Sequence, residues 1–526
     1  MNSASTTRYP ATPQSADGWR VDRLTPPSRL FGANGLRTGP DGRIYIAQVT
    51  GSTISALDVN TGALETISAK GGDIVAPDDV AFGADGVLYA TEVMDGRVSA
   101  RDTDGRSRVL RDDMPSANGI TVHQGRLFVN ECRDGGRLFE MNLDGGAPRL
   151  IAENLPSPNA MEIGPDGLLY FPVMTANQIW RINPDGGETE VVAGDLGVPD
   201  SVKFDTDGFI VSTQVHSGQV LRIDPRTGTQ TVLAQLTPGL DNCTFVDGRL
   251  FVSNFTGSIT EILTGGATRE VLPGGLNWPL DLTVGADGRL YIADGTYLYT
   301  LTDDGSLQTV AMLFTPGYPG FLRGLTASGP GEFVVATSGG QVARYRPAAG
   351  ETDYLTDGLD QLYGVALDGS RILAVEQGTG RLLSVGAGGV ETVTAGLDTP
   401  VDVVIGPNGP LISQAGSVVG VDGAVVVGDL VTPHGIVVRG DTLFIVDAGA
   451  KEVVSVDLST GARQTVASGL PVGAAPGVTP KPLLGMPPFS GPQGPFAGLA
   501  ATTDGTLYLS ADGDGSILAL RPTRDD

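Results

Sequence analysis

The amino-acid sequence predicts an all-β protein, and three observations support that prediction. The chain of 526 residues repeats about every forty residues, and each repeat carries a turn such as Asp-Gly. Each turn is followed by short segments rich in β-branched and aromatic residues, which are too short for helices. The 76 glycines and 35 prolines suit many tight turns between strands. A repeat of this length with four strands is typical of a β-propeller blade.

The repeat is clearest in the first half of the chain, where successive turns begin 44, 39, 42, 41, 40 and 40 residues apart. These turns begin at Asp41, Asp85, Gln124, Asp166, Asp207, Asp247 and Asp287. A two-helix repeat has a similar period. Segments such as 43–47 and 178–182 nevertheless favour strands, because they are short and rich in Ile, Tyr and Trp.

Weaker units continue the repeat to the end of the chain, and twelve units are counted in all. A single propeller usually holds four to eight blades, so the sequence predicts two six-bladed β-propellers in tandem with twelve four-stranded blades. The predicted division is an N-terminal tail over residues 1–18, a first propeller over 19–272 and a second over 273–526. The last unit has only three strands of its own, and the strand-like segment 19–24 is predicted to close it.

A proline-rich insertion interrupts the second half at residues 470–495. Its eight prolines exclude a central strand, because proline cannot donate to a strand ladder. A surface loop or linker is the favoured interpretation, and a lid over one of the rings is the alternative.

Composition limits the classes of partner. The net charge of −26 argues against sequence-independent binding to nucleic acid or to an anionic membrane, and a small-molecule substrate is expected instead. Two cysteines, Cys132 and Cys243, are too few for a disulfide framework. Residues 1–16 are polar and do not resemble a signal peptide, so a cytoplasmic protein is expected. The sequence does not indicate the oligomeric state.

One position of the repeat changes character between the two halves. In the first six units it holds carbonyl or carboxylate side chains: Asn34, Asp78, Asn118, Asn159, Asp200 and Asp241. In the last six it holds Leu280, Arg323, Tyr363, Val401, His434 and Ala497. This position precedes or begins the first strand of each blade, which lines the channel of a propeller. The sequence therefore predicts a polar ring in the first propeller that the second one lacks.

Asn and Asp oxygens on a common axis are suitable ligands for a hard divalent cation. Calcium is the expected ion, with magnesium and zinc as alternatives. Asn and Asp next to a strand also cap turns or bond the backbone of a neighbouring blade, and this structural role remains open. The restriction of all six residues to one half favours a metal site or a polar active site.

Three strand-opening motifs resemble those of the senescence marker protein/gluconolactonase family: residues 117–120, 158–161 and 199–202. The resemblance covers roughly residues 30–272 and implies a six-bladed propeller with an axial divalent cation. Carried over blade by blade, it implies that the metal ligands are Asn34, Asn118, Asn159 and Asp200. Asn34 stands where the family has Glu, so one ligand charge is missing. The candidates to replace that charge are Asp78, Asp241, Glu92 and Glu131.

The resemblance also implies an activity, the hydrolysis of a lactone or ester with Asp200 as general base or nucleophile. A weaker resemblance to streptogramin (virginiamycin B) lyases lies in residues 177–186 and 433–436. It implies an alternative site in the second ring, with His434 as base beside Arg323 and Tyr363. A third alternative is a non-catalytic propeller that serves as a binding or scaffold platform.

Overall fold

The computed structural model describes residues 7–302, 304–386 and 388–523. Residues 1–6 of the predicted N-terminal tail lie outside this range. The chain divides into two compact units. The first consists mainly of Arg29–Asn277 with Val478–Pro487, and the second of Trp278–Gly477 with the chain from Pro488 and the N-terminal stretch up to Ser28. In the described residues every regular element longer than one helical turn is a strand.

The first unit contains six antiparallel four-stranded sheets, each built from four strands in chain order. Sheets one to three comprise β3–β6 (Leu36–Thr38, Ile44–Gln48, Thr53–Leu57, Leu64–Ser68), β7–β10 (Pro77–Phe82, Leu88–Glu92, Arg97–Arg101, Ser107–Arg111) and β11–β14 (Ala117–His123, Arg126–Glu131, Asp134–Met141, Arg149–Pro156). Sheets four to six comprise β15–β18 (Glu162–Ile163, Leu169–Val173, Gln178–Ile182, Glu190–Ala193), β19–β22 (Pro199–Phe204, Ile210–Gln214, Gln219–Ile223, Gln230–Gln235) and β23–β26 (Leu240–Val246, Arg249–Asn254, Ile259–Ile262, Thr268–Leu272). Single 3₁₀ turns occur at Met174–Ala176 and Thr264–Gly266.

The second unit contains six further antiparallel sheets. Sheets seven to nine comprise β27–β30 (Leu282–Val284, Leu290–Asp294, Tyr297–Leu301, Leu307–Met312), β31–β34 (Leu322–Gly329, Glu332–Thr337, Val342–Arg346, Glu351–Thr356) and β35–β38 (Leu362–Asp368, Arg371–Glu376, Arg381–Gly386, Gly389–Ala395). Sheets ten to twelve comprise β39–β42 (Asp402–Gly406, Gly409–Gln414, Ser417–Gly420, Val425–Val427), β43–β46 (Pro433–Arg439, Thr442–Asp447, Glu452–Asp457, Arg463–Ser468) and β47–β49 (Leu499–Ala501, Leu507–Ala511, Ser516–Pro522). A 3₁₀ turn occupies Pro347–Ala349.

Two N-terminal strands complete sheets at the far end of the chain. β2 (Trp19–Arg23) pairs antiparallel with β49, so the twelfth sheet also has four strands. β1 (Gln14–Ser15) pairs with β46 and gives the eleventh sheet a fifth strand. The described part of the predicted tail is therefore partly ordered against the second unit. Both strands cover a sheet edge that would otherwise expose unpaired backbone groups.

Within each unit the first strands of successive sheets contact one another, and the sixth sheet returns to the first. In the first unit β23 contacts β3, and Ser253 Oγ donates to the carbonyl of Asn34 at 2.7 Å. In the second unit β47 contacts β27, and the N–H of Gly498 donates to the carbonyl of Leu280 at 3.0 Å. The first strands of each unit thus face a common centre.

The core lies between neighbouring sheets, where the apolar faces of two sheets meet. Between the second and third sheets, for example, Tyr89 and Val98 pack with Ile120 and Val129, and all four are buried. Alternating apolar residues in the strands supply these faces. Among the described residues, no helix is long and apolar enough to cross a membrane.

Candidate functional site

The predicted polar ring of the first unit is assembled in the structure. Two hydrogen bonds join neighbouring ring positions: Asn34 Nδ2 donates to Asp241 Oδ2 at 3.0 Å, and Asn159 Nδ2 donates to Asp200 Oδ2 at 3.1 Å. Asn34 is half-buried, and the other five ring residues are buried. The buried members are Asp78, Asn118, Asn159, Asp200 and Asp241. Polar side chains from six sheets therefore converge on the centre of this unit.

Four of the six ring residues, Asp78, Asn118, Asp200 and Asp241, lie at β-bulges, which explains their orientation. In β7, Pro77 pairs with Glu92 and Val80 pairs with Ala90, so three steps along one strand oppose two on its partner. The same shift occurs in β11, β19 and β23. One extra residue reverses the alternation of the strand, so a ring residue and the residue three positions later face the same side.

Hydrogen bonds from the preceding sheet hold the backbone of the ring in place. Thr91 Oγ1 donates to the carbonyl of Asn118 at 2.5 Å, and Asn130 Nδ2 donates to the carbonyl of Asn159 at 2.7 Å. The hydroxyl of Thr213 donates to the carbonyl of Asp241. Each donor lies on the second strand of the preceding sheet. Because the backbone is fixed in this way, the side chains of the ring are held in a preorganised arrangement.

The ring concentrates buried carboxyl groups. Burial raises the pKa of Asp200 well above its ordinary value, and the carboxylates of Asp78 and Asp79 raise it further. Burial also raises the pKa of Asp241 strongly, with added repulsion from Asp200 and Asp78. Burial and the neighbouring Asp79 raise the pKa of Asp78 to about 7. Three such carboxylates are mutually unfavourable unless protons or a cation offset their charge.

The donor set fits a hard cation. Asn118 Oδ1 is buried and has no hydrogen-bond partner among the residues that the structure describes. Amide and carboxylate oxygens are the ligands that calcium prefers. In the same described residues, no group of three or more His, Cys, Asp or Glu is placed to hold a metal. A cation at the ring would therefore depend on asparagine oxygens as well as on aspartates.

Two of the candidate compensating acids already have cationic partners. Glu92 pairs with Arg97 and accepts the N–H of Val75 at 2.6 Å. Glu131 pairs with Arg137 and, at 3.1 Å, with Arg133. Of the four candidates named from the sequence, only Asp78 and Asp241 lie among the ring carboxyls that repel one another. The sequence does not predict the arginine pairs of Glu92 and Glu131. These pairs depend on which residues face each other across neighbouring strands, and the repeat does not specify this.

A charged layer lies next to the ring, and sequence analysis missed it. Arg37 Nη1 donates to Glu162 Oε2 at 2.7 Å, which joins the first strands of sheets one and four. Lys203 Nζ lies 3.2 Å from the same carboxylate oxygen. Arg37 also donates to the carbonyls of Val80 and Ile120 at 3.0 and 2.9 Å. Arg37, Glu162 and Lys203 follow Asn34, Asn159 and Asp200 by three residues, so the repeat alignment contains a signal for this layer.

The second unit places different side chains at its centre. Arg323 is fully buried, its Cζ lies 4.0 Å from the ring centroid of Tyr363, and its Nη1 donates to Gln493 Oε1 at 3.3 Å. Leu280, Val401 and Ala497 supply apolar surface at three of the other ring positions, and His434 occupies the fourth. Gln493 belongs to the proline-rich insertion and is itself buried. The interpretation of the whole insertion as a surface loop is therefore wrong, because residues around Gln493 cover the centre of this unit.

The buried aspartates of the second unit have a structural role. Asp281 accepts the N–H groups of Leu282 and Leu325 at 2.8 and 2.7 Å. Asp402 accepts those of Val403 and Ile436 at 2.8 and 2.9 Å. In each case one bond is local and the other reaches the first strand of the next sheet. These carboxylates connect neighbouring sheets. This is the structural role that was left open for the Asn and Asp residues of the ring in the first unit.

His434 is held as a neutral side chain. Its Nδ1 accepts the N–H of Ala497 at 3.1 Å, so the neutral ring carries its proton on Nε2. Burial lowers the pKa of His434 to about 4, and the positive charges of Lys451 and Arg323 contribute, while Asp447 opposes them. A histidine with this pKa is a weak base at neutral pH.

The shifted pKa of His434 predicts a loss of stability in acid. Between about pH 6.5 and 4 the unfolded chain binds a proton at this residue and the folded chain does not, so stability decreases as the pH falls. For this group the full effect is about 3 kcal/mol below pH 4. Denaturant unfolding from pH 7 to pH 4 should show a shallower decline for His434→Gln than for the wild type. The exposed His216, changed to Gln, is the control; curves of equal slope for wild type and His434→Gln would contradict the assignment.

Both cysteines are free and buried. Burial raises the pKa of Cys243 to about 11 and that of Cys132 well above the ordinary thiol value. Neither thiol is therefore activated as a nucleophile at neutral pH.

Comparison with known families bears on the first unit. Residues 14–255 match the family model described as SMP-30/Gluconolactonase/LRE-like region. This stretch resembles the SMP-30/gluconolactonase/LRE-like family. The match contains all six ring residues and the charged layer, and the resemblance inferred from the three strand-opening motifs is confirmed. A comparison with curated proteins found no match.

Three solved structures match parts of this chain. A streptogramin B lyase has 18% identity and a TM-score of 0.40, covering 52% of this chain and 94% of that one. A gluconolactonase from Xanthomonas campestris has 16% identity and a TM-score of 0.38, covering 48% and 95%. A nidogen/laminin complex has 21% identity and a TM-score of 0.35, covering 38% and 78%. At these identities and scores, the structures carry no argument about activity.

Proposed function

We propose that the protein is a metal-dependent hydrolase of the gluconolactonase type, which opens a lactone or an ester at the Asn/Asp ring of the first unit. The observation that carries the proposal is the convergence of Asn118, Asn159 and Asp200 in one buried ring, within the stretch that matches the family. The proposal takes the substrate to be a small molecule, which the net charge of −26 favours over nucleic acid or an anionic membrane, and it takes the protein to be cytoplasmic.

The proposal includes an architecture. Each unit is taken as a closed six-bladed β-propeller, and the two propellers follow one another along the chain. Support comes from the contacts that return from the sixth sheet to the first, between β23 and β3 in one unit and between β47 and β27 in the other. A closed ring places the first strands around an axis, where ligands commonly bind.

In this proposal Asn34, Asn118, Asn159 and Asp200 would hold the cation, with calcium as the expected ion and magnesium or zinc as alternatives. Asp78 and Asp241 would supply the charge that Asn34 lacks. When bound, a divalent cation polarises the substrate carbonyl and offsets the carboxylate charges around it. Asn118 contributes a buried amide oxygen that has no other partner among the described residues.

Asp200 is the proposed general base. Its carboxylate takes a proton from water as the water oxygen bonds to the carbonyl carbon, and it returns a proton to the leaving oxygen as the ester bond breaks. The products are a carboxylic acid and an alcohol, and the two groups stay in one hydroxy acid when the substrate is a lactone. The bond from Asn159 Nδ2 orients one carboxylate oxygen of Asp200. Direct attack by Asp200 on the carbonyl is the alternative role.

The other two functions receive less support from the geometry. A lyase in the second unit needs His434 as base, but its Nδ1 is bonded to Ala497 N–H and its pKa is about 4. A binding platform needs no preorganised ring of acids. Binding of a cation without turnover of any substrate would favour the binding platform.

Calcium is expected to stabilise the purified protein and EDTA to lower its melting temperature. A ligand at a hundredfold excess over its Kd adds about 2.7 kcal/mol, which for a unit of this size corresponds to roughly 5–10 °C. Elemental analysis, thermal unfolding with calcium or EDTA, and turnover of a lactone and ester panel make up the test. Asn118→Leu should abolish the calcium-induced shift, whereas the exposed Asp195→Asn should retain it.

The outcomes separate the proposals. Metal-dependent turnover supports the hydrolase. Calcium binding at the ring without turnover of any lactone or ester supports the platform. Absence of metal, of a calcium shift and of turnover would overturn the proposed site.

A further inference from the structure

A buried guanidinium at the centre of the second unit has two nitrogens without a hydrogen-bond partner among the described residues. Arg323 is 0% exposed and stacks on Tyr363 with 4.0 Å between Cζ and the ring centroid. Its Nη1 donates to Gln493 Oε1 at 3.3 Å. Its Nε and Nη2 have no hydrogen-bond partner among the residues that the structure describes. Burying a charge without a counter-charge is costly, so these two nitrogens indicate a ligand.

Nearby carboxylates are engaged elsewhere. Asp281 and Asp402 each accept two backbone N–H groups. Asp447 accepts the N–H groups of three residues, and within the described residues it forms no ion pair with Arg323. The backbone donors surrounding these acids would lose their acceptors if a carboxylate turned toward Arg323. A rotation of Asp281, Asp402 or Asp447 therefore does not supply a counter-charge for Arg323.

His434 provides a second donor. Since its Nδ1 accepts the N–H of Ala497, its proton lies on Nε2 when the ring is neutral. The charge of Arg323 contributes to the low pKa of His434, which places the two side chains in one electrostatic environment. Lys451 adds positive charge, and its Nζ donates to the carbonyls of Val472 and Ala474 at 2.6 Å each. Two positive charges, those of Lys451 and Arg323, thus act on His434, and the charge of Asp447 opposes them.

Residues 488–495 cover this site. Gln493 Nε2 donates to Ser338 Oγ at 2.9 Å, and the N–H of Gly491 donates to the same oxygen at 3.2 Å. At Gly494, an added Cβ would lie 2.3 Å from the hydroxyl oxygen of Tyr363, so the backbone fits closely over that side chain. The cover keeps water from the guanidinium, which strengthens any ionic bond made there.

We propose that the second unit binds a small oxyanion, a carboxylate or a phosphate, against the Nε–Nη2 edge of Arg323 under residues 488–495. The two N–H groups of that edge are parallel and match two oxygens on one carbon or phosphorus atom. The Nε2–H of His434 is a further donor for the same ligand. Entry and exit of the ligand require residues 488–495 to move. This inference does not depend on the proposed hydrolase activity.

The test is calorimetric binding and thermal unfolding of the full chain with sodium acetate, sodium phosphate or sodium chloride at equal ionic strength. The protein is first treated with EDTA and then dialysed to remove the chelator, so that a cation at the site of the first unit does not contribute. Acetate, phosphate or both are expected to bind and to raise the melting temperature, and the arm that responds identifies the chemical class. Chloride, which has one acceptor atom and cannot place one oxygen opposite each of the two parallel N–H groups, is expected to have a smaller effect.

Variants locate the effect at Arg323. Arg323→Lys keeps the charge but loses the paired donors, and it should weaken oxyanion binding at least tenfold. Arg323→Met should abolish binding. Arg346→Met, which removes an arginine from the surface of the same sheet, should bind as the wild type does. If Arg323→Met does not fold, Arg323→Lys alone decides.

Three results would overturn the proposal: no response to acetate or phosphate, an equal response to chloride, or an unchanged response in Arg323→Lys. The first would mean that the guanidinium has no oxyanion ligand of this kind. The other two would mean that the anions act elsewhere on the protein.

Discussion

Asp200→Asn is expected to reduce lactone or ester turnover roughly 10²- to 10⁴-fold, the range typical of a lost general base. The substitution preserves the size of the side chain and its position beside Asn159 Nδ2, which lies 3.1 Å from the carboxylate. It removes the group that accepts the proton of the attacking water. It also removes one charged ligand from the ring, so calcium affinity should decrease together with kcat.

The control for Asp200→Asn is Asp195→Asn. Asp195 is exposed and lies outside the ring, in the turn before the same strand. The same change of chemical group at that position should leave turnover and calcium binding as in the wild type. Circular dichroism and melting temperature check that both variants are folded. Full turnover by a folded Asp200→Asn variant would exclude Asp200 as base or nucleophile.

Arg37→Met is expected to lower the free energy of unfolding by roughly 3–5 kcal/mol, the usual cost of breaking a buried ion pair from one side. Arg37 is 14% exposed and donates to Glu162 and to two backbone carbonyls from different sheets. Although burial works against its charge, the carboxylates of Glu162 and Asp79 raise its pKa. Methionine fills similar space, but it leaves Glu162 with Lys203 and the hydroxyl of Thr121, and it leaves the two carbonyls without the arginine donor.

Arg43→Met is the control for this variant. Arg43 lies in the same sheet and pairs with Asp41 and Glu65, but Glu65 is 63% exposed, so the pair is screened by water. Its loss should cost less than about 1 kcal/mol. Urea unfolding of the two variants, followed by tryptophan fluorescence and circular dichroism, measures the difference. Equal losses would show that the layer around Arg37 contributes no more than a surface pair.

The sheets could be predicted from sequence because the signals for them are local. Turn residues and alternating apolar residues recur every forty residues, and the structure has antiparallel sheets of four strands at these repeats, with one extra strand in the eleventh. The last repeat contains only three strands of its own, and β2 occupies the open edge beside β49. The sequence predicts this open edge, because its last repeat lacks one strand. The small strand β1 carried no comparable signal, since it has two residues.

The polar ring could be predicted from the sequence for the same reason, whereas the charged layer next to it could not. Alignment of the repeats groups Asn118, Asn159 and Asp200, and the structure brings them to one centre. The charged layer of Arg37, Glu162 and Lys203 shares the period but follows the ring by three residues. A regular strand would place residues two apart on one face, and for Lys203 the bulge in β19 changes this spacing to three. The repeat does not show where a bulge lies, so it does not predict this layer.

The sequence by itself determined the strand pattern, the number of repeats and the restriction of the Asn/Asp ring to the first half. These depend on residues close together in the chain. Tertiary structure alone decided that Arg37 forms an ion pair with Glu162 across the first unit. It also decided that Glu92 and Glu131 form ion pairs with arginines and that Gln493 covers Arg323. The physical reason is that a repeat specifies the position of a residue within its own sheet. Contacts across the centre arise only when distant sheets are brought together, and they depend on bulges and inserted segments that the period does not encode.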